Sequence, residues 1–222
     1  MRIDVQPDAG LAAQRGAELI AEAAEEAIDA RGSFYVAASG GTDPWEMYRR
    51  LAWLEPDWDR ITVLQVDERV APDGDPDRNL THLLETLPAA ARPRVRPMPV
   101  ADPDLDDASR EYAAGLPPNI DLVHLGLGPD GHTASLVPGD PVLEVEDRRV
   151  ALTGIYQGHR RMTLTFPELA RAGRVLWLVT GEQKRDPLAR LVAGDRSIPA
   201  GRVQADKVVV VADSAAAAGL RR

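Results

Sequence analysis

Between positions 11 and 28 the apolar residues Leu11, Ala12, Leu19, Ile20, Ala23, Ala24, Ala27 and Ile28 recur at helical spacing, with Glu18, Glu22, Glu25 and Glu26 between them. A one-sided stripe of that period predicts an amphipathic helix ending near Arg31-Gly32, where glycine suits a C-terminal stop. The next apolar stretch has another rhythm. Phe34-Tyr35-Val36-Ala37-Ala38 is short and continuous, as a strand buried on both faces reads, and Ser39-Gly40-Gly41-Thr42-Asp43-Pro44 breaks it before helical periodicity resumes over 45–54. Downstream, strands are expected at 61–66, 120–125, 162–165, 175–179 and 207–211. Helices are expected at 80–87, 104–116, 182–192 and, at the end, 215–218, with a polar loop over 67–77.

Near-continuous apolar strands alternating with helices predict an α/β fold, a largely parallel sheet with helices on both faces. In such sheets ligands sit beyond the carboxyl ends of the strands, so the turns there are where chemistry is to be sought. No repeat or composition shift marks a boundary, and one domain over 1–222 is expected.

Composition narrows the partners. A hydrophobic share of 44% with 27% charged residues is ordinary for a globular chain. A net charge of −9 argues against nucleic acid or an anionic membrane as partner, so an anionic ligand requires a local basic pocket. The absence of cysteine excludes disulfides, thiolate metal sites and a thiol nucleophile. Residues 1–7 lack the apolar core of a signal peptide, and no apolar run approaches ~20 residues; the cytoplasm is the expected compartment and a monomer the expected state.

Gly126-Leu127-Gly128-Pro129-Asp130-Gly131 matches the G-x-G-x-x-G dinucleotide fingerprint and follows a strand. Pro138, Gly139 and Pro141, however, leave no room for the long helix that fingerprint needs. What the loop offers instead is His132 at the end of a strand, followed by Thr133 and Ser135 at what reads as a short helix N-terminus. From position alone, His132 could equally be a base or a side chain satisfying a carbonyl in a tight turn; His124 reads as core, His82 and His159 as peripheral. Ser39-Gly40-Gly41-Thr42 is a second strand-to-helix turn, able to receive an anion or simply to turn the chain. Asp67-Glu68-Arg69 either faces a ligand or forms a salt-bridged loop. Arg161 and Lys184, at the start of a strand and of a helix, would add positive charge to the same rim.

Five segments in order resemble the 6-phosphogluconolactonases, within the group that includes the glucosamine-6-phosphate deaminases: Ser39-Gly40-Gly41; Val66-Asp67-Glu68-Arg69 with Asn79; Leu125 through Leu136, containing Gly-Pro-Asp-Gly-His; Arg161-Met162-Thr163-Leu164-Thr165; and Gly181-Glu182-Gln183-Lys184. The deaminases typically continue Ile-Ala-Phe-Asn-Glu-Pro after the shared Asp-Gly-His and carry Asp-Glu-Tyr in the second segment. This chain has Thr133-Ala134-Ser135-Leu136-Val137-Pro138-Gly139 and Asp67-Glu68-Arg69, which resemble the lactonases.

The resemblance implies a modified Rossmann-like fold of the sugar-phosphate isomerase and CoA-transferase kind. It also implies hydrolysis of 6-phospho-D-glucono-1,5-lactone to 6-phosphogluconate in the oxidative pentose phosphate pathway, with no cofactor and no metal. His132 would be the general base, assisted by Asp130. Ser39, Gly40, Gly41, Thr42, Asp67, Arg69, Arg161 and Lys184 would hold the phosphorylated substrate, and N–H groups of the glycine loop, with Gly128 and Gly131 as candidates but the donors left open, would face the carbonyl oxygen. A lactone is an activated ester, so water with one general base suffices, and an imidazole, titrating near ~6.5, is suited to that. One position departs from the family turn, commonly Ser-Gly-Gly-Ser-Thr-Pro: Asp43 would repel a phosphate if it pointed inward, and it is expected to point outward, capping a helix that begins at Pro44.

Overall fold

The computed structural model describes residues 1–220; Arg221 and Arg222, the last positions of the expected domain, lie outside the described residues. In chain order the elements are β1 (Arg2–Gln6), α1 (Ala9–Arg31), β2 (Phe34–Ala38), α2 (Thr42–Trp53), β3 (Ile61–Gln65), β4 (Asp67–Arg69), α3 (Asn79–Thr86), β5 (Val95–Arg96) and α4 (Leu105–Gly115). They continue with β6 (Leu122–Leu125), β7 (Val150–Leu152), β8 (Arg161–Leu164), α5 (Phe166–Ala170), β9 (Val175–Val179), α6 (Arg185–Val192), β10 (Val208–Asp213) and α7 (Ser214–Ala217).

Seven strands form one sheet in the order β1-β10-β9-β6-β2-β3-β5, each neighbouring pair parallel. Alternation along each strand feeds two cores. Leu122, Leu176 and Leu178 pack with buried residues of α1 and α2, whereas Val123, Leu125, Val175 and Trp177 pack with those of α4 and α6 on the other face. Both faces are therefore apolar, which is why these strands read as continuous hydrophobic runs. α1 follows its stripe closely: Asp8 Oδ1 accepts the Leu11 N–H at 2.8 Å at its start, and the Gly32 N–H donates to the Ile28 carbonyl at 2.7 Å at its end.

Three expectations change. The segment at 162–165 does not enter the parallel sheet; β8 is the middle of a separate antiparallel sheet, β4-β8-β7. Apolar rhythm reports burial but not the pairing partner. The loop expected over 67–77 opens with β4 instead, which pairs residue for residue with β8. No helix starts after His132: Thr133 and Leu136 bond each other across a tight turn, with the Leu136 N–H donating to the Thr133 carbonyl at 2.9 Å. Among the described residues no helix is long and apolar enough to cross a membrane.

Candidate active site

Four connections leave the carboxyl ends of β2, β3, β6 and β9, and they meet around a cleft of about 200 Å³ lined by Ser39, Gly40, Arg69, His132, Arg161 and Lys184 among others. The glycine loop after β6 supplies the histidine. Its tightness comes from two backbone bonds: the Gly131 N–H donates to the Gly128 carbonyl at 3.0 Å, and the Gly128 N–H to the His132 carbonyl at 2.8 Å. A methyl group at 128 would lie 2.1 Å from His132 Nδ1, and one at 131 would meet Ile198 at 2.6 Å on a backbone already at φ +81°. Position 131 thus requires glycine, and a side chain at 128 would displace the imidazole. Because both N–H groups are spent inside the loop, neither is free for a carbonyl oxygen of a ligand, contrary to the expectation from sequence.

His132 is 21% exposed at its side chain, and its Nδ1 lies 2.5 Å from Asp130 Oδ1. The same oxygen accepts the His132 backbone N–H at 3.1 Å. Burial opposes ionisation of Asp130, but the bonds from His132 outweigh it and hold the carboxyl below its ordinary value. A carboxylate at Nδ1 takes the ring's proton-bearing nitrogen and leaves the lone pair on Nε2.

Two of the cations come from the second sheet. The register of β4 against β8 places Arg69 opposite Arg161, an arrangement of like charges that costs stability unless an anion joins them. Arg161 is 4% exposed and its Nε has no partner among the described residues; burial, then the neighbouring Arg69, hold it below the ordinary arginine range. Arg69 donates to Asn79 Oδ1 at 2.5 Å, and Asn79 in turn reaches the Asp67 carbonyl at 3.0 Å. Lys184, half-buried after β9, is pushed below the ordinary lysine value by burial, against the pull of Asp130 and Asp43.

Other expected residues are placed differently. The Ser39 hydroxyl donates to the His124 carbonyl at 2.9 Å, and Asp67, though it lines the cleft, accepts the Ser135 hydroxyl at 2.6 Å. These two side chains tie the loops to one another. Gly41 and Thr42 are exposed at the start of α2 and do not line the cleft. α2 begins at Thr42, not Pro44, with Gly41 as its cap residue and no side-chain cap. Asp43 does not point outward: it accepts a hydrogen bond from the Thr180 hydroxyl and its charge reaches Lys184. Thr180 gives the carboxylate a nearer partner than solvent, and the ammonium favours it there. Sequence reasoning missed Tyr156, whose ring meets that of His132. Among the described residues, no group of three or more His, Asp or Glu is placed to hold a metal ion.

A family described as glucosamine-6-phosphate isomerases/6-phosphogluconolactonase matches residues 7–211. The chain is 32% identical to a 6-phosphogluconolactonase of a Nostoc species, over 98% of each chain. It superposes on a crystal structure of 6-phosphogluconolactonase from Thermotoga maritima with a TM-score of 0.85 and 27% identity, covering 96% of this chain and 98% of that one. A monomeric glucosamine-6-phosphate deaminase shares the fold, with a TM-score of 0.86 over 99% of this chain and 100% of the other but 19% identity. The backbone alone therefore does not separate the two activities.

Proposed function

The chain belongs to the glucosamine-6-phosphate isomerase/6-phosphogluconolactonase family, and from that premise we propose that it hydrolyses 6-phospho-D-glucono-1,5-lactone with His132 as the general base. The activity is that of the lactonase members; the mechanism and the place in the oxidative pentose phosphate pathway are our reading. The observation that carries it is the His132 to Asp130 contact of 2.5 Å in a cleft shared with Arg69, Arg161 and Lys184.

Arg69, Arg161 and Lys184 would receive the phosphate: a guanidinium can grip two oxygens, and an ammonium acts as a point charge. With the phosphate held, water attacks the lactone carbonyl carbon as His132 Nε2 takes its proton. The tetrahedral intermediate collapses by breaking the bond to the ring oxygen, which takes the proton back from the imidazolium and leaves as a hydroxyl. The product is 6-phosphogluconic acid, which ionises at neutral pH. Direct attack by water is favoured over a covalent serine because the His132 ring bonds Asp130 rather than either serine, the Ser39 hydroxyl is buried and donates to the His124 carbonyl, and Ser135 is fully buried and does not line the cleft. Asp130, kept ionised, stabilises the imidazolium formed on the way.

The test is formation of 6-phosphogluconate from freshly generated lactone, above the spontaneous rate, beside ammonia release from glucosamine 6-phosphate. Lactone hydrolysis without ammonia is expected; ammonia release with no lactonase activity would refute the reading.

A further inference from the structure

The hairpin between β7 and β8 turns at Gln157 and Gly158, both with positive φ, 49° and 85°, the two-residue turn whose twist suits paired strands. The Tyr156 N–H closes it on the His159 carbonyl at 3.0 Å, and His159 Nε2 lies 3.0 Å from Asp77 Oδ2, which ties the tip to the loop before α3. His159 thus anchors the hairpin to the loop before α3, while Ile155, Gln157 and Gly158 stay exposed.

Ile155 is 77% exposed, but its neighbour Tyr156 turns towards the site and touches three of its groups. The Tyr156 ring meets His132 edge-on with centroids 5.5 Å apart. The Arg161 guanidinium lies 5.1 Å from the centre of the ring. The phenol O–H donates to Asp130 Oδ2 at 3.3 Å. Burial, then the charge of Asp130, push the phenol above its ordinary value, so it stays a donor.

The two oxygens of Asp130 therefore have separate duties. Oδ1 accepts from His132 alone, and Oδ2 from Tyr156. A carboxylate bonded through one oxygen can rotate about its Cβ–Cγ bond; a donor on the other oxygen fixes its plane, and with it the imidazole. On its other side, the aromatic face gives Arg161 a cation–π partner, which adds to the long bonds its Nη2 donates to the Tyr156 carbonyl at 3.5 Å and to Gln157 Oε1 at 3.4 Å in restraining a guanidinium whose Nε has no hydrogen bond among the described residues.

We propose that Tyr156 is a positioning residue for the lactone hydrolysis, its hydroxyl orienting His132 through Asp130 and its ring holding Arg161 for the substrate phosphate. The proposal rests on His132 being the base. It separates two roles within one side chain: the hydroxyl acts on turnover and the ring on binding.

Steady-state kinetics on freshly generated 6-phospholactone test this with Tyr156→Phe, Tyr156→Leu, Asp130→Asn, the double variant Tyr156→Phe/Asp130→Asn, and His132→Ala. Tyr156→Phe is expected to lower kcat about fivefold with KM within about twofold, and Tyr156→Leu to add a rise in KM of about fivefold. If the hydroxyl works through Asp130, Tyr156→Phe changes kcat by less than about twofold in the Asp130→Asn background. Wild-type kcat and KM in Tyr156→Phe, or an undiminished kcat loss in the Asp130→Asn background, overturns the proposal. If His132→Ala keeps wild-type turnover, the base assignment fails and the proposal with it; if His132→Ala is inactive and Tyr156→Phe is unaffected, only the proposal fails.

Discussion

His124 and His132 stand eight positions apart on one run of chain, the first inside β6 and the second in the loop that β6 enters, and the two regions use imidazole in opposite ways. His124 is fully buried; burial lowers it to about 3, and its Nδ1 lies 2.9 Å from the Tyr48 hydroxyl. Burial pushes that phenol up, so it remains a protonated donor, and the ring of His124 is a neutral acceptor at Nδ1. In the loop the partner is the Asp130 carboxylate, which accepts at the same nitrogen of His132, and the cleft gives a substrate access. On the proposed mechanism, partner type and access would make a base of a histidine. In β6, a neutral donor and a sealed core make a structural one.

The contrast can be broken from the loop side by moving the ring of His132. A methyl group at 128 would overlap it, so Gly128→Ala is expected to lower kcat about 10²-fold with the protein still folded, as a displacement of about 1 Å in a catalytic group does; circular dichroism beside the rate checks both halves. Arg69→Ala leaves the base in place and removes an anion partner, and its expected effect is a rise in KM of about tenfold with kcat within about threefold. Lys184 adds a pH dependence. Its ammonium loses its proton below the ordinary lysine value, so KM is expected to rise as pH increases towards that range, earlier than for an exposed lysine. Initial rates at several alkaline pH values read this, and the rise should be absent in Lys184→Gln.

His124 supplies the smallest effect on catalysis and a distinct one on stability. Its folded value, about 3, lies below that of an unfolded histidine, ~6.5. The unfolded chain therefore binds the extra proton between those values, and stability is lost as pH falls below ~6.5. In His124→Leu the drop in unfolding free energy between pH 7 and pH 5 is expected to be smaller by about 2 kcal/mol, with kcat within about twofold of wild type. Urea melts at the two pH values measure it; an unchanged difference would remove His124 from the neutral, buried class.

Much of the fold was legible because α1 and the central strands are long and regular enough for burial to impose a period. β5 and β7, of two and three residues, carry no period to read, and β1 is an edge strand with Ile3 and Val5 exposed. β8 was recognised as a strand, but its antiparallel partners β4 and β7 were fixed by contacts remote in sequence. In the site, the glycine loop and the cations were legible because their residue types are unusual where they stand. Asp43 was misjudged because Thr180, its partner, is 137 positions away. Tyr156 left only the weak signal of a glycine-containing tip before Arg161, following β7, a strand too short to predict.

The most direct test of the central claim is the rate of 6-phosphogluconate formation from freshly generated lactone by wild type and His132→Ala, side by side from pH 5 to 8 with the spontaneous rate subtracted. The account predicts wild-type product formation well above the spontaneous rate, while the variant stays folded and close to background throughout. A folded variant that keeps near-normal turnover would contradict it.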